Sequence, residues 1–296
     1  MTWINGQLKA SLPVSDRGLA YGDGIFETIA CINQKLHLWS RHWQRLQQGA
    51  KQLDLELPEQ QTLLNWIERA LTEKNNLPEA VVKIIITRGS GGRGYKSPEQ
   101  PQPRTIITVH PWPEHNDNDY QQGISAMVCQ TCLAPQPSLA GIKHLNRLEQ
   151  VLAAQELSAR NGREGLMLEC APADNDKPAK KIVIEGVSSN LFFVSRGQLF
   201  TPEITYSGVN GTIRSELLER AQALGIPLTP GRYELQDVLN ADEVFFTNSI
   251  FGILPVSRII YQQGQKSRHY QQRDVSMQLA KSLNPELQRP CQFNNL

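Results

Sequence analysis

No apolar run in this 296-residue chain approaches the roughly 18–20 residues that a membrane-spanning helix needs. Excess charge of one sign is also missing. Thirty Lys and Arg against 29 Asp and Glu leave a formal charge of +1, which gives no electrostatic reason to expect nucleic acid or an anionic membrane as partner. Cysteine is sparse: Cys31, Cys129, Cys132, Cys170 and Cys291 are odd in number and scattered. A disulfide framework is therefore not expected, and a reducing compartment is the natural setting. The N-terminal "MTWINGQLKASLPVSD" lacks a charged segment followed by an apolar one, so no signal peptide is read and a cytoplasmic location is expected. The six histidines show no H-E-x-x-H or other metal spacing, and no G-x-S-x-G marks a serine nucleophile.

What is present is ordinary globular composition, 40% hydrophobic and 20% charged, enough for two domains of usual size. "LHLWSRHWQRLQQGAKQLDL" places Trp39, Trp43, Leu46, Ala50 and Leu53 on one helical face, with Ser40 as N-cap and Arg45 on the flank. "QTLLNWIERALTEKN" is a second amphipathic helix, and "AVVKIIITRGS" and "RTIITVHPW" are β-rich runs bounded by Gly and Pro. The polar "PWPEHNDNDYQQG" is the linker candidate. Strands follow near 123–132, 164–170, 181–186 and 190–201, and helices near 146–161, 212–224 and 274–282. "APADNDKPAKK" (171–181) reads as a polar insertion between strands. The order predicts a mixed α/β, α+β chain: a small N-terminal domain over 1–112, a linker over 113–122 and a larger domain over 123–296.

Five local features could carry chemistry. Lys143 sits in "AGIKHLNRLEQ", an apolar approach to a helix whose start is marked by Asn146 and Glu149 as a capping box. Desolvation favours the neutral amine, a nucleophile toward carbonyls; an incidental surface lysine is the simpler local reading. "YSGVNGTIRSELLERAQALG" leads Gly208 and Gly211 into a helix N-terminus, where free N–H groups suit a phosphate, although a plain turn fits as well. "TRGSGGRGY" spells G-x-G-x-x-G, but the three prolines of "YKSPEQPQPR" forbid the helix a dinucleotide fold requires. The better fit is a Gly-rich loop whose Arg88 and Arg93 suit a substrate with two carboxylates, with an ordinary exposed loop at even odds. In "IVIEGVSSNLFFV", Glu185 ends an apolar strand and Asn190 opens the next. Cys129 and Cys132 form a C-x-x-C inside a strand, where neither a thioredoxin-type pair nor a complete zinc site is expected.

Their order says more than any one of them. "YGDGIFETI", "RHWQRL", "GIKHLNRLEQ", "EGVSSNLF", "GVNGTIR" and "FFTNSIFGILPV" follow one another along nearly the whole chain. In this the chain resembles the fold-type IV pyridoxal-phosphate enzymes, which comprise branched-chain and D-amino-acid aminotransferases and the aminodeoxychorismate lyases. "SDRGLAYGDGIFET", "RGSGGRGY" and "LAGIKHLNRLEQVL" look most like the lyases. The resemblance implies a cofactor, pyridoxal 5'-phosphate, in a Schiff base with Lys143 and held in the larger domain. It implies Glu185 at the pyridine nitrogen, Asn190 beside the ring, Arg45, Thr212 and Ile213 at the phosphate, and Asn248 and Ser249 as a second wall. Thr28 stands where the aminotransferases carry glycine, which implies proton transfer to a departing group. The implied reaction is loss of pyruvate from 4-amino-4-deoxychorismate to give 4-aminobenzoate, in folate biosynthesis, by a homodimer. An aminotransferase on the same scaffold is the alternative, and a non-catalytic anion-binding protein stands further off.

Overall fold

The computed structural model describes residues 1–8, 11–74, 77–114, 117–170 and 181–283. Residues 171–180 of the insertion expected at 171–181, His115, Cys291 and the tail from 284 lie outside the described residues. Two compact units emerge: Met1–Glu114 joined by Ile142–Arg147, and the described residues of 115–141 and 148–296. The main stretch of the first unit ends at Glu114, and two details bear on the expected linker and on Lys143. Most of the expected linker, Asp117–Gln122, is helix (α4), because Tyr120 is buried apolar surface and its hydroxyl donates to Phe251 O. The segment around Lys143 belongs to the first unit.

The first unit is built on a six-stranded antiparallel sheet in the order β2-β1-β6-β5-β3-β4. Its strands are β1 (Thr2–Ile4), β2 (Gln7–Leu8), β3 (Gly24–Ile32), β4 (Lys35–Leu36), β5 (Glu79–Thr87) and β6 (Arg104–Pro111). A short helix α1 (Arg17–Tyr21) precedes β3, and α2 (Trp39–Leu53) and α3 (Gln60–Thr72) supply the apolar cover. Ile25 and Ile29 of β3 pack with Leu46 and Ala50 of α2 and Leu63 and Ile67 of α3. Each such large side chain is worth about 1.5–3 kcal/mol when buried. Helix α2 starts at Trp39 with Leu38, not Ser40, as its N-cap residue. Its buried face also carries His42 and Arg45, an unusual content for a core stripe.

The second unit holds a ten-stranded mixed sheet. Its strands are β7 (Ile124–Leu133), β8 (Glu164–Cys170), β9 (Lys181–Gly186), β10 (Asn190–Ser195), β11 (Gln198–Pro202), β12 (Leu228–Gly231), β13 (Tyr233–Glu234), β14 (Glu243–Asn248), β15 (Gly252–Tyr261) and β16 (Lys266–His269). Its helices after α4 are α5 (Leu148–Ala159), α6 (Thr212–Ala223), α7 (Leu235–Leu239) and α8 (Asp274–Ser282). The run expected as one strand over 190–201 is a hairpin. Arg196 and Gly197 both take positive φ, 52° and 75°, which turns the chain tightly. Strands run β10-β14-β15-β7-β8-β9, and one pair, Asn190 opposite Glu185, joins β9 back to β10. The sheet therefore closes into a ring at two residues singled out from sequence. Among the described residues no helix is long and apolar enough to cross a membrane.

Candidate active site

In the first unit, Lys143 is held as though it were one more strand residue. Phe26 N donates to Lys143 O at 2.9 Å, Leu145 N to Gly24 O at 3.0 Å, and His144 bridges to Ile25. Alternation then sends Lys143 and His144 to opposite sides. The half-buried Lys143 Nζ lies 4.4 Å from the centroid of the Phe26 ring. Phe26 and Thr28 share a face of β3, and Lys83, paired with Thr28 across β5, also brings its amine over Phe26 at 5.7 Å. One sheet face thus carries two amines, an aromatic ring and a hydroxyl. Lys83 was not singled out from sequence, although a lone cation in "AVVKIIIT" was the available signal. The capping box is not how the next helix begins. Glu149 accepts from Ala134 N and Asn146 donates to Gly22 O, so both side chains tie down other backbone.

The opposite face of β3 presents Glu27, buried, to α2. Its carboxylate accepts from Arg45 Nε at 2.7 Å and Nη2 at 2.5 Å, and from His42 Nδ1 at 2.6 Å. Burial alone would raise this carboxyl. The charges of Arg45 and His42 and their hydrogen bonds outweigh it and bring it down to about 2. An ionised carboxylate only accepts, so His42 carries its proton on Nδ1. Burial lowers the pKa of the imidazole against the pull of Glu27, and its Nε2 is buried without a hydrogen-bond partner among the described residues. Arg45, expected at a phosphate, is thereby oriented by Glu27. The sequence reading attached Glu27 only to a motif; a lone acid facing inward in "FETIACI" was the clue.

In the second unit, buried Glu185 accepts from Val209 N through Oε2 at 2.8 Å, and Asn190 Nδ2 donates to Val209 O at 2.7 Å. Both residues at the ring closure thus grip one residue, Val209, of the "SGVNG" turn. That turn leads into α6, whose N-cap, Gly211, offers no side-chain cap. A Cβ on Gly211 would fall 1.9 Å from Asn190 Oδ1, so only glycine fits. Thr212 Oγ1 is buried without a partner among the described residues, and Ile213 is fully buried, its N–H one of the groups in the first turn of α6 that has no intrahelical acceptor. An orphaned hydroxyl beside uncapped N–H groups at a helix start fits a phosphate. Asn248 differs from expectation. Its Oδ1 accepts from Ile250 N and Phe251 N, and its Nδ2 donates to Ser188 O, so its side chain shapes the turn that holds half-buried Ser249. Glu164 was missed. Its carboxylate takes four donors, Gly165 N, Val187 N, Ser188 Oγ and Ser189 Oγ, and fixes the turn between Glu185 and Asn190.

Two expectations are corrected. Arg88 is no substrate arginine: it is buried, pairs with Asp23 through Nε and Nη2, and donates to Leu53 O and Asp54 O. Arg93 is exposed in the Gly-rich loop, which forms no helix, in line with the rejected dinucleotide pattern. Cysteines are the second. Cys132 is bonded to Cys170, with Cα atoms 5.7 Å apart, while Cys129 is a buried free thiol pushed up to about 12 by burial. The parallel register of β7 and β8 sets Cys132 opposite Leu168, and no sequence spacing announces that proximity.

The chain is similar to known proteins over most of its length. Residues 24–259 match the family described as amino-transferase class IV. An aminodeoxychorismate lyase of Vibrio harveyi is 36% identical, over 88% of this chain and 91% of that protein. A branched-chain-amino-acid aminotransferase of Escherichia coli K12 is 29% identical, over 87% and 84%. Among solved structures, 4-amino-4-deoxychorismate lyase from Pseudomonas aeruginosa superposes with a TM-score of 0.83 at 40% identity, covering 96% of this chain and 99% of that one.

Proposed function

This chain belongs to the amino-transferase class IV family, and we propose that within it the protein is an aminodeoxychorismate lyase. It releases pyruvate from 4-amino-4-deoxychorismate and leaves 4-aminobenzoate, a step of folate biosynthesis. The observation that carries this reading is Thr28, a hydroxyl on the sheet face shared with Phe26, over whose ring the Lys143 amine lies. Identities of 36% and 40% to two lyases support it.

The cofactor is pyridoxal 5'-phosphate, which supplies an electrophilic carbon for an amine and a ring that draws electrons from the neighbouring C–H bond. Lys143 would hold it covalently. Arg45, Thr212 and the N–H groups that open α6, Ile213 among them, would bind its phosphate, with Ser249 and the Asn248 turn as the second wall. Glu185 would keep the pyridine nitrogen positively charged, and Asn190 would fix the turn beside the ring. With the cofactor bound, Lys143 Nζ would be the base that takes the proton from the substrate carbon bearing the amine. Thr28 Oγ1 would relay to the departing pyruvate oxygen the proton that Lys143 Nζ takes up, so the hydroxyl is restored as the oxygen leaves. Lys83 and Arg93 bind the two substrate carboxylates.

Purified protein with added cofactor is expected to release pyruvate and 4-aminobenzoate in equal amounts from enzymatically made substrate. Thr28→Gly is expected to lower that turnover by about 10²–10³-fold while leaving cofactor absorbance intact. No release, together with amino transfer from a branched-chain or D-amino acid, would assign an aminotransferase instead.

The protein acts in the cytoplasm as a homodimer. Helix α5 exposes Leu148, Val151 and Leu152 by 77%, 49% and 51%, spaced as one stripe. Leu152→Glu is expected to move the protein from dimer to monomer in sedimentation at micromolar concentration. A wild-type monomer would sink this part of the reading.

A further inference from the structure

Arg17 is a cation buried for a purpose that the chemistry above does not use. It lies in α1, only 4% exposed. Its Nη1 points to the carbonyls of Gly91 (3.5 Å), Gly94 (3.1 Å) and Lys96 (3.2 Å), and its Nη2 donates to Tyr95 O at 3.1 Å. Its backbone N–H donates to Gly89 O at 2.8 Å. The Gly-rich loop is thus curled around one guanidinium. Gly91, Gly92 and Gly94 make the curl possible with φ of 116°, 78° and 58°. A Cβ on Gly92 would sit 2.4 Å from Lys96 O.

The clamp is itself anchored. Arg17 Nε donates to Asp23 Oδ2 at 2.8 Å, and Asp23 also takes Arg88, which grips Leu53 O and Asp54 O at the end of α2. The guanidinium lies 5.0 Å from the Tyr21 ring, and Tyr21 meets Tyr95 edge-on at 5.5 Å. Taking a guanidinium out of water for carbonyl ligands is costly unless its geometry is well satisfied. The carbonyls satisfied here belong to the loop that carries Arg93.

We propose that Arg17 is a positioning residue for the substrate: by gathering the carbonyls of residues 91–96 it holds Arg93 where that side chain takes a substrate carboxylate. This rests on the reading of Arg93 given above. Lysine keeps the charge but cannot make a planar fork, so Arg17→Lys should be defective as well as Arg17→Met.

The test uses the holoenzyme and the variants Arg17→Lys, Arg17→Met, Arg93→Gln and Arg17→Met with Arg93→Gln. Both Arg17 variants are expected to raise KM on the order of tenfold with kcat within about twofold. Trypsin cleavage after Arg93 and Lys96 should quicken by a similar factor, with cofactor absorbance unchanged. The double variant should have the KM of Arg93→Gln alone, because the clamp acts through Arg93. KM effects that multiply in the double variant would overturn the proposal. Arg17 variants with unchanged KM and cleavage beside a defective Arg93→Gln would sink the clamp alone. An unchanged KM in Arg93→Gln would sink the reading of Arg93. Should Arg17→Met fail to fold, Arg17→Lys decides.

Discussion

Lys143→Ala is expected to lose at least about 10³-fold in turnover and the yellow colour of the holoenzyme together, because one amine serves both as covalent tether and as base. The fold should survive. Segment 143–145 is held to β3 by Phe26 N to Lys143 O and Leu145 N to Gly24 O, backbone bonds that alanine keeps. The side chain itself is half-buried over Phe26, so its removal opens no sealed cavity. The expected result is therefore a well-folded, colourless protein. Borohydride should trap cofactor mass on the peptide containing Lys143 in the wild type and on no peptide in the variant. Mass trapped elsewhere would reassign the lysine, with Lys83 first in line since its amine overlies the same ring. A wild type that stays colourless with added cofactor would favour the anion-binding alternative.

How far the sequence could be read depends on the range of the contact. Helix α3, α6 and α8 and strands β8 and β9 were legible because their periodicity and their punctuation by Gly and Pro are local. The order of motifs marked Lys143, Glu185 and Asn190. What stayed hidden depends on which residues a strand's pairing places opposite one another. Alternation puts Glu27 and Thr28 on opposite faces of β3, but nothing local says which face meets α2, or that Asp23 takes Arg88 away from any substrate. Arg88 and Arg93 look equivalent in "TRGSGGRGY". One is spent on Asp23 and two carbonyls and the other is exposed, because β5 ends at Thr87 and the glycines turn the chain outward beyond it. The Cys132–Cys170 pair was hidden for the same reason, since a parallel register brings together residues 38 apart.

Glu27→Gln is expected to be the most destabilising single change near the candidate site. The substitution keeps shape and removes charge. Arg45 is then left buried without its carboxylate, at a cost of about 3–5 kcal/mol, on the order of a 10 °C fall in midpoint for a chain of this size. The pH dependence has a definite sign. The Glu27 carboxyl lies at about 2 when folded, against 4.5 otherwise, so its contribution is complete above pH 4.5 and is lost as pH falls toward 2. That displacement corresponds to about 3 kcal/mol. Thermal midpoints of wild type and variant should therefore converge as pH drops from about 5 to 3. Parallel curves would mean that Arg45 and His42 do not hold the carboxyl down. Removing both charges, as in Glu27→Leu with Arg45→Met, should recover much of the lost stability, because no ion is then left unpaired. It should not recover cofactor affinity. If Arg45 binds the phosphate, the double variant is the more stable protein and the weaker holoenzyme, and that split separates the ion pair's part in folding from its part in binding.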